Sequence, residues 1–349
     1  MPGRFDLDVD GLAELLPGQP AYRARQLRAG LLRGLEPRDI TELPASMRAA
    51  LEAALPPGLV PVGERSGDGG RTIKWLWQLA DGARVETVLM HYPQRSTVCV
   101  STQAGCAMGC SFCATGQMGF VRSLGAGEIV EQVLRARRAA EPRRLSNVVF
   151  MGMGEPLANY DATWAAIRVL TGELGISARG VTVSTVGVVP GIRRMAGEAL
   201  PVNLAVSLHA ADDTLRDRLV PLNRRYPLSE LMAACEHYRS VKRRRLSFEW
   251  ALIDGVNDTA EQAAKLAALA RRLGAHVNLI PLNATAGYAG TDTRPAGAME
   301  LRQRLRDAGV AATVRANRGR DIDGACGQLA WTEGPRPSPG DPLTAIPAL

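Results

Sequence analysis

Residues 105–120 read GCAMGCSFCATGQMGF, and within them Cys106, Cys110 and Cys113 stand at C-x3-C-x2-C spacing. One short loop therefore supplies three thiolates. Thiolates are the soft ligands that hold iron–sulfur clusters, and spacings this short let one loop wrap one cube. A closed structural zinc site would want a fourth Cys or His at matching spacing, and the loop offers none. The spacing favours a cluster with one open corner over zinc, and zinc over unliganded cysteines. The loop follows the strand-like STVCVST and precedes a repeated alternation of strand, loop and helix. Further strand candidates are NVVFMG (147–152), VTVST (181–185), VNLAVSLH (202–209), LSFEWALI (246–253) and HVNLIPL (276–282), with EIVEQVLRARRAA and TAEQAAKLAALARRLG among the helices between them. Continuous β-branched and aliphatic runs are typical of strands covered by helices. Six such units predict an α/β fold, an incomplete parallel (β/α)6 barrel with VAATVRA (310–316) as an added strand; an open doubly wound sheet is the alternative. In a barrel, Gly152, Gly154, Glu155, Ser184, Ser207, His209 and Asn283 would all fall at the C-terminal mouth, where barrel sites form. Each is a weak signal alone, since a GxG is commonly a turn and a Ser at a strand end commonly a cap.

Outward from the barrel the pattern changes. Ala24, Leu27 and Leu31 recur at helical spacing, a second helix is expected from Pro44 to Leu55, and Pro56-Pro57-Gly58 ends this arginine-bearing module. RTIKWLWQL and ARVETVLM, separated by Asp81-Gly82, read as strands. The expected organisation is a small N-terminal helical accessory domain at 1–58, a short β extension or linker at 59–96, the barrel core at 97–330, and a Pro- and Gly-rich flexible tail at 331–349. Six cysteines in 349 residues are no disulfide framework, and clustered thiols fit a reducing compartment. The acidic N-terminal stretch is unlike a signal peptide and no run of about 18 apolar residues occurs, so a cytoplasmic protein is expected, with no membrane partner. Net charge is +7, and only Lys74, Lys242 and Lys265 are lysines. Arginine is the better bidentate phosphate ligand, which fits a nucleic-acid substrate and equally a compositional bias.

The combination VETV, VCVSTQAGCAMGCSFCATGQMGF, MGMGEPLAN, VSTVGVVP, SLHA, NLIPLN and RGRDIDGACGQLA, in this order across residues 18–330, resembles the radical S-adenosylmethionine methyltransferases that modify C2 of adenine in large-subunit ribosomal RNA. A sister family acting on C8 of the same base shares nearly every motif. The resemblance implies a radical-S-adenosylmethionine-type partial barrel in which Cys106, Cys110 and Cys113 ligate three irons of one [4Fe–4S] cluster and S-adenosylmethionine chelates the fourth. It assigns Gly154, Glu155, Ser184, Ser207, Leu208, His209 and Asn283 to cosubstrate binding. It also implies two cosubstrate molecules per methylation: one methylates Cys326, and the other generates the radical that activates that methyl group. Glu86 resembles the proton acceptor, and Cys99 the resolving thiol that forms a transient disulfide with Cys326. A solvent-facing Glu86 and an ordinary buried Cys99 are the plain alternatives, and Cys235, in the helical LMAACEHY, reads as packing.

The implied substrate is 23S rRNA at the peptidyl-transferase centre and, as in some relatives, a tRNA adenosine beside the anticodon. A monomer with an external electron donor such as flavodoxin or ferredoxin is expected. Arg23, Arg25, Arg28, Arg33 and the run Lys242 to Arg245 are candidate phosphate contacts, with solvated surface charge as the alternative. The sequence departs from the family's usual pattern after Asn283, where it reads ATAGYAG, and at Ala316-Asn317. Competing functions are C8 methylation, another radical S-adenosylmethionine reaction, which would not require both Cys99 and Cys326, and a non-catalytic RNA-binding protein, which should close its cluster with a fourth ligand.

Overall fold

The computed structural model describes residues 3–283, 285, 287–315 and 330; Cys326 and the tail 331–349 lie outside them. Three helices open the chain: α1 (Val9–Glu14), α2 (Ala21–Leu32) and α3 (Ala45–Ala54). Ala24, Leu27 and Leu31, the residues at helical spacing, form the buried stripe of α2, and Leu51 of α3 belongs to the same apolar core. Arg28 also faces inward. Its guanidinium donates to both carboxylate oxygens of Glu173, at 2.8 and 2.9 Å, and to the Leu7 carbonyl. That side chain is a brace between the helical module and the barrel, which corrects its reading as a phosphate contact.

Strands β1 (Val60–Gly67), β2 (Thr72–Gln78) and β3 (Arg84–His91) are antiparallel and continue, through β4 (Ser96–Cys99), into the barrel sheet. A separate hairpin, β5 (Gln103–Gly105) and β6 (Phe120–Ser123), brackets the cysteine loop and the one-turn helix α4 (Ala114–Gln117). The alternation then runs α5 (Ala126–Ala140), β7 (Leu145–Phe150), α6 (Tyr160–Gly172), β8 (Val181–Thr185), α7 (Val189–Gly197) and β9 (Asn203–Ser207). It continues with α8 (Asp213–Leu219), α9 (Leu228–Lys242), β10 (Leu246–Leu252), α10 (Ala260–Leu273), β11 (His276–Pro281), α11 (Pro295–Asp307) and β12 (Ala312–Val314). Local chemistry sets the boundaries. In α10, for example, the Thr259 hydroxyl caps the Gln262 amide, and Gly274 ends the helix at φ +54°.

The ten strands lie in the order β1-β2-β3-β4-β7-β8-β9-β10-β11-β12, parallel from β4 onward. A doubly wound sheet would reverse its order at a switch point, whereas this one advances in one direction, as an open barrel does. No helix among the described residues is long and apolar enough to cross a membrane.

Strand side chains alternate between faces, and register partners share a face. On one face lie Val98, Val148, Phe150, Val181, Val183, Leu204, Val206, Phe248, Trp250, Val277 and Leu279, all buried apolar residues. The other face can be followed through the register: Cys99 beside Val149, Val149 beside Thr182, Ser184 beside Ala205, Ser207 beside Glu249, and Glu249 beside Asn278. It continues into the antiparallel strands, where Val88 pairs with both Cys99 and Lys74, and Glu86 stands two residues from Val88. This second, polar face is the lumen of the barrel.

Candidate active site

The hairpin fixes the mouth of the cysteine loop. Gly105 has φ +72°, and a Cβ there would lie 2.0 Å from the Gly119 carbonyl, so only glycine fits where the Cys106 amide donates to that carbonyl at 2.8 Å. Farther along, the Cys113 amide donates to the Cys110 carbonyl (3.1 Å), and the Ser111 amide donates to the Leu219 carbonyl of α8 (3.1 Å). Gln117 ties the loop across the mouth to Thr285 (2.9 Å) and to the Gly287 amide (3.2 Å), beyond the sixth barrel strand.

Cys106, Cys110 and Cys113 line one wall of a cavity of about 240 Å³, and Gly154, Glu155, Ser184, Ser207 and His209 also line it. Burial pushes the Cys106 and Cys110 thiols well above the usual thiol range. A group that binds them as thiolates must therefore bring positive charge, as irons do. Among the described residues no three His, Cys, Asp or Glu side chains converge tightly enough for a single metal ion. The donor set suits a cluster that gives each thiolate its own iron better than it suits one zinc.

The MGMGEP turn needs its glycines for close packing. A Cβ on Gly152 would meet the Val100 carbonyl at 2.6 Å, and Gly154, at φ +97°, lies against Gln103. Ser101 Oγ accepts from the Met153 amide (3.0 Å) and Gln103 Oε1 from the Glu155 amide (2.9 Å), so β7 is stitched to the segment leading into the cysteine loop. The Glu155 carboxylate accepts from the Leu157 amide (3.0 Å) and the Val186 amide (2.9 Å). Burial raises its pKa to about 7, and those two backbone bonds pull the other way.

Ser184 and Ser207 hydroxyls meet at 3.3 Å on the lumen face. His209 adopts φ +59° and accepts the Ala251 amide hydrogen at Nδ1 (2.9 Å). Burial, and then the nearby Arg216 charge, lower its pKa to about 3. The ring is neutral, its proton sits on Nε2, and Phe112 of the cysteine loop packs edge-on against it at 4.7 Å. Leu208 is fully buried; its amide donates to the Glu249 carbonyl and its own carbonyl accepts from Arg216. Asn283 lies two residues past β11. Neither is among the residues lining the cavity.

Glu86 and Cys99 share the lumen face but stand to one side of this cavity. Glu86 is 2 % exposed and pairs with Lys74, Nζ to Oε2 at 2.8 Å, which overturns the solvent-facing alternative. Cys99 is buried with a free thiol. Cys326 lies outside the described residues. Cys235 packs inside α9, where burial pushes its thiol up to about 12.

Three charges buried around the barrel mouth and lumen carry no role in the reading from sequence. Glu249 lines the cavity and accepts from Ser247 Oγ and Asn278 Nδ2, each at 2.8 Å. Arg216 is 1 % exposed and donates to the Leu208 and Val186 carbonyls, stapling the ends of β9 and β8. Lys74 completes the set. Strand alternation could have flagged Lys74 and Glu249, charges set inside apolar strands, while nothing separates Arg216 from the many surface arginines.

The pattern of the Radical SAM superfamily matches residues 100–267. A protein of Parafrankia sp. described as a probable dual-specificity RNA methyltransferase RlmN is 57% identical over 334 residues, covering 90% of this chain and 87% of its own. One of the same description from Thermobifida fusca is 52% identical over 335 residues, covering 92% and 91%. The crystal structure of a radical SAM methyltransferase from Sphaerobacter thermophilus superposes with a TM-score of 0.90 at 50% identity, covering 94% of this chain and 99% of that one.

Proposed function

The chain belongs to the dual-specificity RNA methyltransferases of the radical S-adenosylmethionine superfamily, and we propose that it methylates C2 of adenine in 23S rRNA, and an anticodon-adjacent tRNA adenosine, through a methyl group carried on Cys326. The observation that carries this reading is the single cavity in which three thiols face Glu155, Ser184, Ser207 and His209, continuous with the polar face that holds Glu86 and Cys99.

Cys106, Cys110 and Cys113 would hold a [4Fe–4S] cluster and leave one iron for S-adenosylmethionine. Bound there, the two would supply one-electron chemistry at carbon, which an electron-poor ring carbon requires. The protein's own contribution is placement. Glu155, fixed by two amides, is an anion that fits the cosubstrate's ammonium, whose charge would offset the cost of burying the carboxylate. His209 offers one Nε2–H donor, and Ser184 and Ser207 offer a pair of hydroxyls for the cosubstrate's polar atoms. Gln117 and Phe112 hold the cysteine loop against the opposite rim, which limits entry of water.

The polar lumen then serves the RNA step. The target adenine must leave its stack to reach the mouth. Cys326 would present its methyl group there, and Glu86 would take the proton from the substituted carbon as one electron leaves to the iron–sulfur centre. Cys99 would attack the Cys326 sulfur, breaking its bond to the new carbon, which takes up a proton as a transient disulfide forms and the methylated base leaves. Two cosubstrate molecules are consumed per methylation, one to load Cys326 and one for the radical. The protein would act as a monomer in the cytoplasm with a flavodoxin- or ferredoxin-type donor.

The Cys99→Ala variant tests the sequence of steps. It should still load and activate Cys326, then stall as a covalent RNA–protein adduct visible by denaturing electrophoresis and mass spectrometry. Normal turnover by that variant would remove Cys99 from the mechanism.

A further inference from the structure

Lys74 is fully buried at the centre of β2, an expensive place for an ammonium unless a charge partner is fixed beside it. Its Nζ lies 2.8 Å from Glu86 Oε2, and Glu86 is itself 2 % exposed. The other carboxylate oxygen, Oε1, accepts the backbone amide hydrogen of Ala330 at 2.8 Å, and Ala330 is 1 % exposed. The strand register explains why these groups meet. Lys74 and Cys99 are both partners of Val88, and Glu86 stands two residues from it, so all three side chains project from one face. Ala330 comes to that face from 244 positions away in sequence.

We propose that Lys74 is a positioning residue that holds Glu86 oriented for proton transfer, and that the same carboxylate anchors the chain at Ala330, four residues after Cys326. This rests on the reading of Glu86 as proton acceptor. A base that must take a proton from a carbon centre needs a fixed carboxylate within reach, and small displacements are costly in rate. Lys74 grips one oxygen and leaves the other turned toward Ala330. A surface ion pair would do neither, because solvent would screen it and let both side chains move. Here the two charges are buried against each other, and removal of either takes a buried, charge-assisted contact from its partner.

The experiment compares wild type, Lys74→Met, Lys74→Arg and Glu86→Gln, each as reconstituted holoenzyme, by two readouts. Amide hydrogen exchange is followed in the peptide containing Ala330, with the Val181–Thr185 strand as an internal reference. Exchange at Ala330 should rise about tenfold in Lys74→Met and Glu86→Gln, the loss expected for one charge-assisted hydrogen bond, while the reference strand stays protected. For RNA methylation, Lys74→Met should lower kcat by about 100-fold with KM for RNA nearly unchanged, and Lys74→Arg should recover most of it. Wild-type exchange at Ala330 in both variants would overturn the anchor. Wild-type kcat in Lys74→Met, or equal loss of protection in the reference strand without recovery by arginine, would overturn the positioning role. If wild-type holoenzyme methylates no RNA, the functional reading fails, and the exchange measurement still decides the anchor.

Discussion

The two faces of the barrel sheet are built from the same strands yet obey opposite rules. The outer face is a mainly apolar layer in which Val183, Leu204, Val206, Phe248 and Trp250 lie beneath helices, with Thr87, Ser96 and Thr185 among its buried polar residues. The lumen face buries Lys74, Glu86, Ser184 and Glu249, groups that cost free energy to take out of water unless each finds a partner. Outer-face residues are explained by packing alone. Lumen-face residues are better explained by the chemistry they surround, so the two sets should separate when stability and activity are measured on the same variants.

The largest expected stability effect belongs to the outer face. Trp250→Ala removes a fully buried indole from β10 and should lower unfolding free energy by about 3–5 kcal/mol in denaturant titration. A loss under about 1 kcal/mol would mean that this face is less tightly packed than its burial indicates.

A smaller effect with a definite sign comes from Glu155. Its folded pKa of about 7 lies above its ordinary 4.5, so the folded state favours the protonated form. The stabilisation is complete below the ordinary value and is lost as pH rises through the folded one. Protein prepared without cosubstrate should lose up to about 3 kcal/mol between those two pH values, and Glu155→Gln should flatten the curve. A curve that rises over that interval in wild type, or a slope unchanged in the variant, would contradict the assignment.

Glu249 should show the smallest stability change. Gln keeps an acceptor for Ser247 and Asn278 and removes a charge whose burial raises its pKa. Glu249→Gln should therefore leave thermal stability within about 1 kcal/mol of wild type or slightly above it. A loss as large as that of Trp250→Ala would show that the lumen face is held together as firmly as the outer one, and the contrast would collapse.

The barrel was legible because strands covered by helices leave long aliphatic runs, and each run from STVCVST to HVNLIPL overlaps a barrel strand. Thiol spacing and strand ends brought the cysteine loop, Gly154, Glu155, Ser184, Ser207 and His209 to notice, and these line one cavity, whereas Asn283 does not line it. The hairpin around the loop was not, since QAG and FVRS are too short to announce strands and pair only because the loop between them is anchored at both ends. The inward turn of Arg28 was equally invisible: its partner Glu173 is 145 residues away, and nothing local separates it from Arg25 or Arg33. Glu86 shows the limit from the other side. Its role is one that the family resemblance implies, while its burial depends on Lys74 across the hairpin and a further contact comes from Ala330.

The most direct measurement is the identity of the product. Holoenzyme reconstituted anaerobically with iron and sulfide would be incubated with S-adenosylmethionine, a reductant and large-subunit RNA lacking the modification, and the RNA digested to nucleosides. The account predicts a product that co-elutes with 2-methyladenosine and is absent with the Cys326→Ala protein. A dominant 8-methyladenosine product would contradict the choice of carbon, and no methylated adenosine while the cosubstrate is being cleaved would contradict RNA methylation itself.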